Sequence, residues 1–438
     1  MRKFTLRAIS LAVATALSVG IFSGCSSSDE SKGFKARLDT DKKVSLEIAG
    51  SVGNFEALDA VVNNFNEIYP NVTVSYEQYS SSQLKEYMDN NKYVDIVMTG
   101  DDQLRYPSFT EKYIYDYCAD LSKEDIDLSA IREDMLKTYT IGGKLVSVPI
   151  MVKATGMAVN KTLLEKEGLS VPKNYSEFKD VLKALKDKGY TPIQSANSYA
   201  YSVMNNAVLD MIGTDAEFKK QLDSGDESAY NKLLPLFSRL AELVDNGYIN
   251  YNVNSEYPDD NYDGAILKFF EGNVPFWICD TEKFSGMKKR ESKSEAFTAA
   301  PFEYSFEYVP VGDNGVYEYS EPWSGFSVNK NSDAYDYAVE FIRFLATEEQ
   351  INTIASVKGM PSVAKNTDDK RYSDIVNITN AEMSFVNDGT VLNHYKDYIS
   401  STVSKFGSGE LKSVDDAVRF YIDECVKVAK KIETDGSI

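Results

Sequence analysis

Histidine is almost missing from this chain: its 438 residues include only His394. A Ser-His-Asp hydrolase or a zinc protease would have to use this one side chain. No His-Glu-x-x-His and no Gly-x-Ser-x-Gly motif is present either. We therefore expect His394 to be a surface or packing residue, and these classes of enzyme are excluded.

Cysteine is also rare, with four residues at wide spacing. This pattern excludes a disulfide framework and a zinc site, and no motif requires a cofactor. We expect Cys118, Cys279 and Cys425 to be small, buried apolar residues. After residue 43 charged residues interrupt every apolar run, so no further segment is long enough to cross a membrane.

Basic residues are outnumbered, because 47 Lys and Arg stand against 67 Asp and Glu, a formal net charge of −20. Such a field repels polyanions, so nucleic acid is not an expected partner. An apolar fraction of 43% is ordinary for a folded globular protein. About 400 residues follow the amino-terminal region, too many for one simple core and suited to two lobes.

The amino terminus has the pattern of an export signal. Arg2, Lys3 and Arg7 precede an apolar run over residues 9–22. The run is too short to span ~30 Å of hydrocarbon, which takes about 20 apolar residues. A basic start, a short apolar stretch and small residues before a cleavage site are typical of a signal peptide, here residues 1–24.

Ser23 and Gly24, directly before Cys25, resemble the lipobox of bacterial lipoproteins, although Phe22 stands where that family usually has Leu. The resemblance implies that Cys25 is lipidated and becomes the first mature residue. Two or more acyl chains attach a protein firmly, so the expected place is the outer face of the bacterial cell membrane. Residues 25–43 are polar and predict a flexible tether. Secretion with cleavage elsewhere is the alternative.

The first part of the mature chain predicts a parallel α/β sheet. Residues 44–48, 72–76 and 93–98 alternate like strands, and helical patterns over residues 55–68 and 82–88 connect them. Strands that alternate with helices imply right-handed crossovers. Ligands bind at the carboxyl ends of such strands. Three candidate ligand loops therefore share one edge, at residues 50–51, 79–80 and 100–102.

Several later segments together resemble the extracellular solute-binding proteins of the maltodextrin-binding type. Their order and spacing carry the resemblance: residues 142–149, 156–160, 171–178, 189–192, 269–276, 322–330 and 341–345. Asp280 and Thr281 depart from it, since the family has Gly-Ser or Gly-Pro there. The resemblance implies a two-lobed, hinge-connected α/β fold of the periplasmic-binding-protein type II. It also implies a monomer that captures a solute between its lobes and delivers it to an ABC transporter permease.

With this resemblance the chain divides into a first lobe, residues 44–152 plus 306–350, and a second lobe, residues 153–305 plus 351–438. A sugar site needs aromatic platforms and fixed carboxylate or amide acceptors. Trp323 lies in a turn-like segment beside Pro322 and Gly325, which favours stacking on a ligand, with packing as the alternative. Trp277 lies inside an apolar run, which favours core packing.

Polar candidates follow strands at the same edge. Asp101, Asp102 and Asp280 each end an apolar strand and can accept hydroxyl hydrogen bonds, although an Asx turn explains the first two equally well. Tyr79, Asn197 and Tyr199 lie in loops at the matching edge. Lys153 lies at the crossover between the lobes and could equally be a hinge salt bridge.

Two other motifs carry less weight. Asp259, Asn261, Asp263 and Gly264 match the start of an EF-hand loop. The bidentate acid at its twelfth position is missing, so we interpret the segment as an acidic turn that starts a helix. The glycines of residues 50–53 follow a strand, but the Lys and Ser/Thr of a phosphate-binding loop are absent.

Three hypotheses remain at this point. The leading one is a lipid-anchored receptor, not an enzyme, that captures an oligosaccharide for an ABC importer. The second is a receptor for another solute, such as a polyamine, a peptide or an amino-acid derivative, for which acidic side chains and aromatic rings would surround a cation. The third is a surface glycoside hydrolase, which needs two carboxylates ~5–9.5 Å apart across a cleft.

Overall fold

A mixed sheet flanked by helices forms the framework of the molecule. The computed structural model describes residues 34–50, 56–79, 94–100, 117–194, 203–249, 262–367, 372, 381–386 and 393–435. The described strands are β1 (Val44–Gly50), β2 (Val72–Gln78), β3 (Ile96–Gly100), β4 (Thr140–Ile141), β5 (Lys144–Leu145), β6 (Val148–Asn160), β7 (Ile193–Gln194), β8 (Phe276–Asp280), β9 (Tyr304–Glu307), β10 (Val316–Val328) and β11 (Ala381–Val386).

Helices cover the sheet and connect most of its strands. Those described are α1 (Glu56–Ile68), α2 (Glu133–Thr138), α3 (Lys161–Lys166), α4 (Tyr175–Asp187), α5 (Met204–Thr214), α6 (Ala216–Ser224), α7 (Glu227–Asp245), α8 (Tyr262–Phe269), α9 (Thr281–Arg290), α10 (Glu295–Ala299), α11 (Tyr335–Leu345), α12 (Glu348–Lys358), α13 (Asn393–Gly407) and α14 (Val414–Asp435). In the described part of the chain, none of them is long and apolar enough to cross a bilayer.

The predicted parallel sheet at the start of the chain is confirmed. β1 pairs in parallel with β2 on one side and with β3 on the other. Gly50 at the end of β1 lies opposite Gln78 of β2 and Met98 of β3. The carboxyl ends of these three strands therefore meet at one edge. The helix predicted over residues 82–88 lies outside the described residues.

Two long antiparallel strands, β6 and β10, extend this sheet into the rest of the chain. The strand order is β2-β1-β3-β10-β6-β8-β7, with β11 beside β10 and β9 beside β6. A third segment lies beside them near the middle of the molecule, because the amide of Val152 in β6 donates to the carbonyl of Pro361 at 2.9 Å. Three stretches of backbone thus run side by side through the middle of the molecule.

The buried side chains form three clusters that define two lobes. The first cluster takes buried residues from β1, α1, β3, α11 and α12, and from β6 as far as Val152. The other two begin at Ala154 and lie on opposite faces of one sheet, since β8 gives Phe276 to one cluster and Trp277 to the other. We call the first cluster with its elements the first lobe, and the other two the second lobe.

The limits of these clusters differ from the lobe limits predicted from the sequence at two places. Phe306 and Tyr319, predicted for the first lobe, pack in the clusters of the second. Ile351 and Ala364, predicted for the second lobe, pack in the first cluster. The cause is that α12 packs against α1, and that β10 runs through both lobes without a break.

The second half of the predicted tether, from residue 34 onward, packs against the first lobe. Phe34 packs edge-on against Phe344, with ring centroids 5.0 Å apart, and the Arg343 guanidinium lies 3.9 Å from the Phe34 ring centroid. The guanidinium of Arg37 forms a salt bridge with Asp125 at 2.8 Å. Residues 34–43 therefore differ from the predicted flexible tether, because aromatic and ionic contacts fix them.

A buried acid joins this segment to the lobe. Glu340 is 4% exposed, and it accepts hydrogen bonds from the Tyr69 hydroxyl at 2.5 Å and from Arg343 at 2.7 Å. The backbone amide of Arg37 donates to the same carboxylate at 3.2 Å. We call Phe34, Arg37, Tyr69, Glu340 and Arg343 the Glu340 clasp. Burial alone would raise the pKa of Glu340, but its hydrogen bonds with Arg343 and Tyr69 outweigh it and lower that pKa.

The three cysteines outside the amino-terminal region are buried with free thiols, as the sequence predicts. Cys118 belongs to the first cluster, while Cys279 and Cys425 belong to the second lobe. Burial raises the pKa of Cys425 to about 12 and also raises that of Cys279. The thiols of Cys279 and Cys425 therefore stay protonated and serve as packing groups.

Candidate functional site

The shared edge of β1, β2 and β3 is closely packed. The amide of Tyr79 donates to the carbonyl of Gly50 at 2.8 Å, so the chain leaving β2 stays beside the end of β1. A Cβ atom on Gly50 would lie 2.9 Å from the Tyr76 hydroxyl and 3.0 Å from the Met98 Cβ, which explains glycine at this position. The Tyr79 ring packs against the first cluster, and its hydroxyl donates to Glu77.

A β-bulge places Trp323 at the lobe crossing, by which we mean the point where β6 and β10 pass from one lobe into the other. In the β10–β6 pair, Pro322 lies opposite Val152 and Ser324 opposite Met151, so Trp323 is the extra residue. Ser324 also pairs with Gly100, the last residue of β3. A bulge re-aims a side chain and often lies next to a functional site. Trp323 therefore lies next to the strand edge at which a ligand is expected.

Helix α9 of the second lobe begins at the same crossing. Asp280 is its N-cap and accepts a hydrogen bond from the Lys283 amide at 2.8 Å. Thr281 is fully buried; its hydroxyl accepts from the Ala154 amide at 3.1 Å and donates to the Val152 carbonyl at 3.2 Å. This hydroxyl fixes the start of α9 to the crossing strand.

The next residue of α9 reaches the tryptophan. The indole Nε1–H of Trp323 donates to the Glu282 carboxylate at 3.3 Å, although the Glu282 side chain is otherwise exposed. Trp323 itself is only 8% exposed. In this conformation the ring is largely covered, and one of the groups that touch it comes from the other lobe.

A lysine from the first lobe lies over the face of the same ring. Lys358 ends α12, just before Gly359, whose φ of 72° closes the helix in the left-handed region. Its ammonium is 5.5 Å from the Trp323 ring centroid. Desolvation lowers the pKa of Lys358, and nearby Lys289 lowers it further, whereas Glu282 and Glu56 act in the opposite direction.

Those charges extend the cluster along α9. Lys289, in the last turn of α9, forms a salt bridge of 3.5 Å with Glu56 in the first turn of α1. Glu56 is the first residue of α1, six positions after Gly50 at the shared edge. We call Glu56, Glu282, Lys289, Trp323 and Lys358 the Trp323 cluster. It combines an aromatic face with carboxylate acceptors and ammonium donors, the groups that bind a ring with hydroxyl groups.

The structure brings together some residues predicted from the sequence. Trp323 and Asp280 lie near the same crossing, and Tyr79 lies at the edge beside it. The described partners of Asp280 are the amide of Lys283 and, at 3.9 Å, its ammonium. The other predicted positions lie outside the described residues: Cys25, Asp101, Asp102, Asn197 and Tyr199.

Sequence reasoning missed Glu282 and Lys358. An acid in the first turn of a helix and a lysine in its last turn are favoured by the helix dipole alone, so neither carried a specific signal. Only the departure at Asp280 and Thr281 from the family pattern pointed to the start of α9. The ring of Trp277, by contrast, is 2% exposed within the second lobe, as predicted.

The EF-hand-like segment shows no metal site in its described part. Asp263 lies in the first turn of α8, and Arg290 donates to its carboxylate at 2.6 Å. Asp259 and Asn261 lie outside the described residues. Among the residues that the structure describes, no group of three or more His, Cys, Asp and Glu side chains could hold a metal ion.

Comparisons with known proteins agree with this architecture. The chain is 20% identical over 316 residues to the multiple sugar-binding protein of Streptococcus mutans, covering 68% of this chain and 70% of that protein. The cyclic alpha-maltosyl-1,6-maltose binding protein from Arthrobacter globiformis is similar in structure, with a TM-score of 0.65 and 18% identity over 89% of this chain and 100% of that one.

A third similar structure is an ABC substrate-binding protein from Listeria monocytogenes in complex with cycloalternan, with a TM-score of 0.64 and 16% identity over 89% of this chain and 100% of that one. These likenesses confirm the predicted two-lobed, hinge-connected α/β fold of type II. The family model of the bacterial extracellular solute-binding proteins matches residues 49–351. The chain is thus a member of the bacterial extracellular solute-binding protein family.

Proposed function

We propose that this protein captures an oligosaccharide between its lobes, without altering it, for delivery to an ABC importer. The observation that carries the proposal is the Trp323 cluster, which lies at the lobe crossing and beside the carboxyl ends of three parallel strands. Asp101, Asp102, Asp280, Tyr79, Asn197 and Tyr199 are proposed as further ligand residues.

The chemistry of the Trp323 cluster favours a neutral ligand. A sugar ring has a weakly apolar face for stacking on Trp323, while its hydroxyl groups donate to carboxylates and accept from ammonium groups. A polyamine is disfavoured because the Lys358 ammonium already lies 5.5 Å from the ring centroid, where a second cation would be repelled. The names of the relatives, a multiple sugar-binding protein among them, support the same substrate class.

Isothermal titration calorimetry with raffinose, stachyose and cycloalternan tests the proposal, since similar structures were solved with these saccharides. We expect at least one oligosaccharide to bind. Trp323→Ala should weaken that binding by about 2 kcal/mol or more, the range of a tryptophan hot spot, whereas Trp323→Phe should keep most of it. No binding by a wider saccharide panel to folded protein would refute the proposal.

We further propose that Cys25 is lipidated and that it holds the receptor on the outer face of the membrane. The support is the signal-like amino terminus and the small residues before Cys25. Cys25→Ser should move the protein from the membrane fraction to the medium, as followed by fractionation and by mass spectrometry of the amino terminus. An unmodified Cys25 in the mature wild-type protein would contradict this part.

A further inference from the structure

Helix α9 belongs to the second lobe, but charged side chains near both of its ends contact the first lobe. Its apolar face is anchored in the second lobe, where Phe284 and Met287 are buried. Its first turn reaches Trp323 through Glu282, and its last turn reaches Glu56 through Lys289. The two contacts lie at opposite ends of one helix, so they hold its full length against the first lobe.

The first contact is made at the edge of the candidate platform. Trp323 is 8% exposed while Glu282 binds its indole N–H at 3.3 Å. A ligand ring that stacks on Trp323 needs access to a face of the indole. In this conformation the ring also packs in the first cluster, and Glu282 of α9 holds its edge.

The second contact is weak because solvent surrounds it. The side chains of Lys289 and Glu56 are 57% and 60% exposed, and their charged atoms are 3.5 Å apart. An exposed ion pair shifts an equilibrium by only roughly 2- to 5-fold. Such a contact favours one conformation only slightly, as expected of a contact between lobes that open and close.

We propose that Glu282 and Lys289 form a latch between the lobes: they hold α9 on Trp323 and Glu56 and set how readily the lobes open. They act as positioning residues, and their effect on ligand affinity rests on the proposed function. Thr281 makes a separate contact, because its hydroxyl fixes the start of α9 to Ala154 and Val152 of β6.

Tryptophan fluorescence measures the latch without any ligand. The chain has two tryptophans, and Trp277 is 2% exposed in the second lobe, so quenching by acrylamide reports mainly on Trp323. Trp323→Phe supplies the background signal of Trp277. We expect Lys289→Glu and Glu282→Ala each to raise the Trp323 quenching constant, and to populate the open form roughly 2- to 5-fold more.

Lys288→Glu is the matched control, because it makes the same charge change one residue earlier. Lys288 pairs with Glu291 at 2.7 Å within the second lobe and does not contribute to the latch. The latch is supported only if Lys289→Glu and Glu282→Ala both exceed this control. If either one equals it, the proposal is overturned.

A double variant with exchanged charges tests whether a quenching change comes from the lost ion pair or from misfolding. Glu56→Lys combined with Lys289→Glu rebuilds the pair with reversed charges, so quenching should return towards the wild-type value, and failure to return would overturn the ionic part of the latch. All these measurements are made without ligand. If the variants change the quenching but no saccharide binds, the latch is supported and the proposed function is rejected. If a saccharide binds but the variants do not change the quenching, the proposed function is supported and the latch is rejected.

Discussion

The Glu340 clasp and the Trp323 cluster both combine aromatic rings with charged side chains, but they differ in burial. Glu340 is 4% exposed, and the Arg343 side chain that pairs with it is 12% exposed. Lys289 and Glu56 are more than half exposed, and Glu282 is exposed as well. The clasp holds a chain segment against one lobe, whereas the cluster joins two lobes.

This difference separates permanent from reversible contacts. Breaking a buried ion pair leaves an uncompensated charge in a medium of low dielectric constant, so the pair opens only when the lobe unfolds. An exposed pair exchanges its partner for water at little cost. The first lobe therefore keeps residues 34–43 in place, while the proposed latch requires contacts of α9 that form and break readily.

Removing the buried acid should have the largest effect. Glu340→Ala leaves Arg343 and the Tyr69 hydroxyl without their partner, which should lower the free energy of unfolding by about 3–5 kcal/mol. Urea unfolding followed by circular dichroism measures it, with Glu282→Ala as the exposed counterpart. Equal stability of the two variants would contradict the contrast between the networks.

Removal of the Thr281 hydroxyl should have the next largest effect. Thr281→Val leaves the buried Ala154 amide without an acceptor and should cost about 1–3 kcal/mol. Thr281→Ser keeps the hydroxyl and is the matched control. Thermal unfolding of both variants measures the difference, and a Val variant as stable as the Ser variant would show that this hydroxyl does not stabilise the join between α9 and β6.

The clasp should also make the protein sensitive to acid. The pKa of Glu340 lies below its ordinary value of 4.5, so its stabilising effect is complete above that value and is lost as the pH falls through the lowered pKa. One carboxyl changes the slope by at most about 1.4 kcal/mol per pH unit. Unfolding free energies between pH 6 and pH 3 should fall less steeply in Glu340→Gln, and parallel curves would argue against the paired carboxylate.

The smallest effect is expected at the exposed pair. A double-mutant cycle of Glu56→Ala and Lys289→Ala should give a coupling energy of about 0.2–1 kcal/mol, and high salt should reduce it. The cycle is measured from unfolding free energies at low and high salt. A coupling as large as that of Glu340 with Arg343 would remove the distinction between the two networks.

Much of the fold was predictable because the signals are local. The alternation in β1 and β2 and the apolar face of α1 depend on neighbouring residues, and they gave the parallel sheet and its ligand edge. The burial of Trp277 followed from its apolar run, and that of the cysteines from a spacing that fits neither a disulfide framework nor a zinc site. The lobe limits were harder, since the packing of α12 on α1 joins residues far apart in the sequence.

The site was only partly predictable, because it depends on distant contacts. Trp323 could be proposed from its flanking Pro322 and Gly325, but its β-bulge depends on the register with β6. Glu282 and Lys358 reach it from two helices of different lobes. The ordered segment at Phe34 was missed for the same reason, since its partner Arg343 is more than 300 residues away in the chain.

Tryptophan emission during a saccharide titration tests the central claim most directly. A saccharide that stacks on Trp323 should change the emission of the wild-type protein in a saturable way, and Trp323→Phe, which retains Trp277, should show no such change. A saccharide that binds by calorimetry yet alters neither protein's emission, or alters both equally, would contradict the placement of the ligand on Trp323.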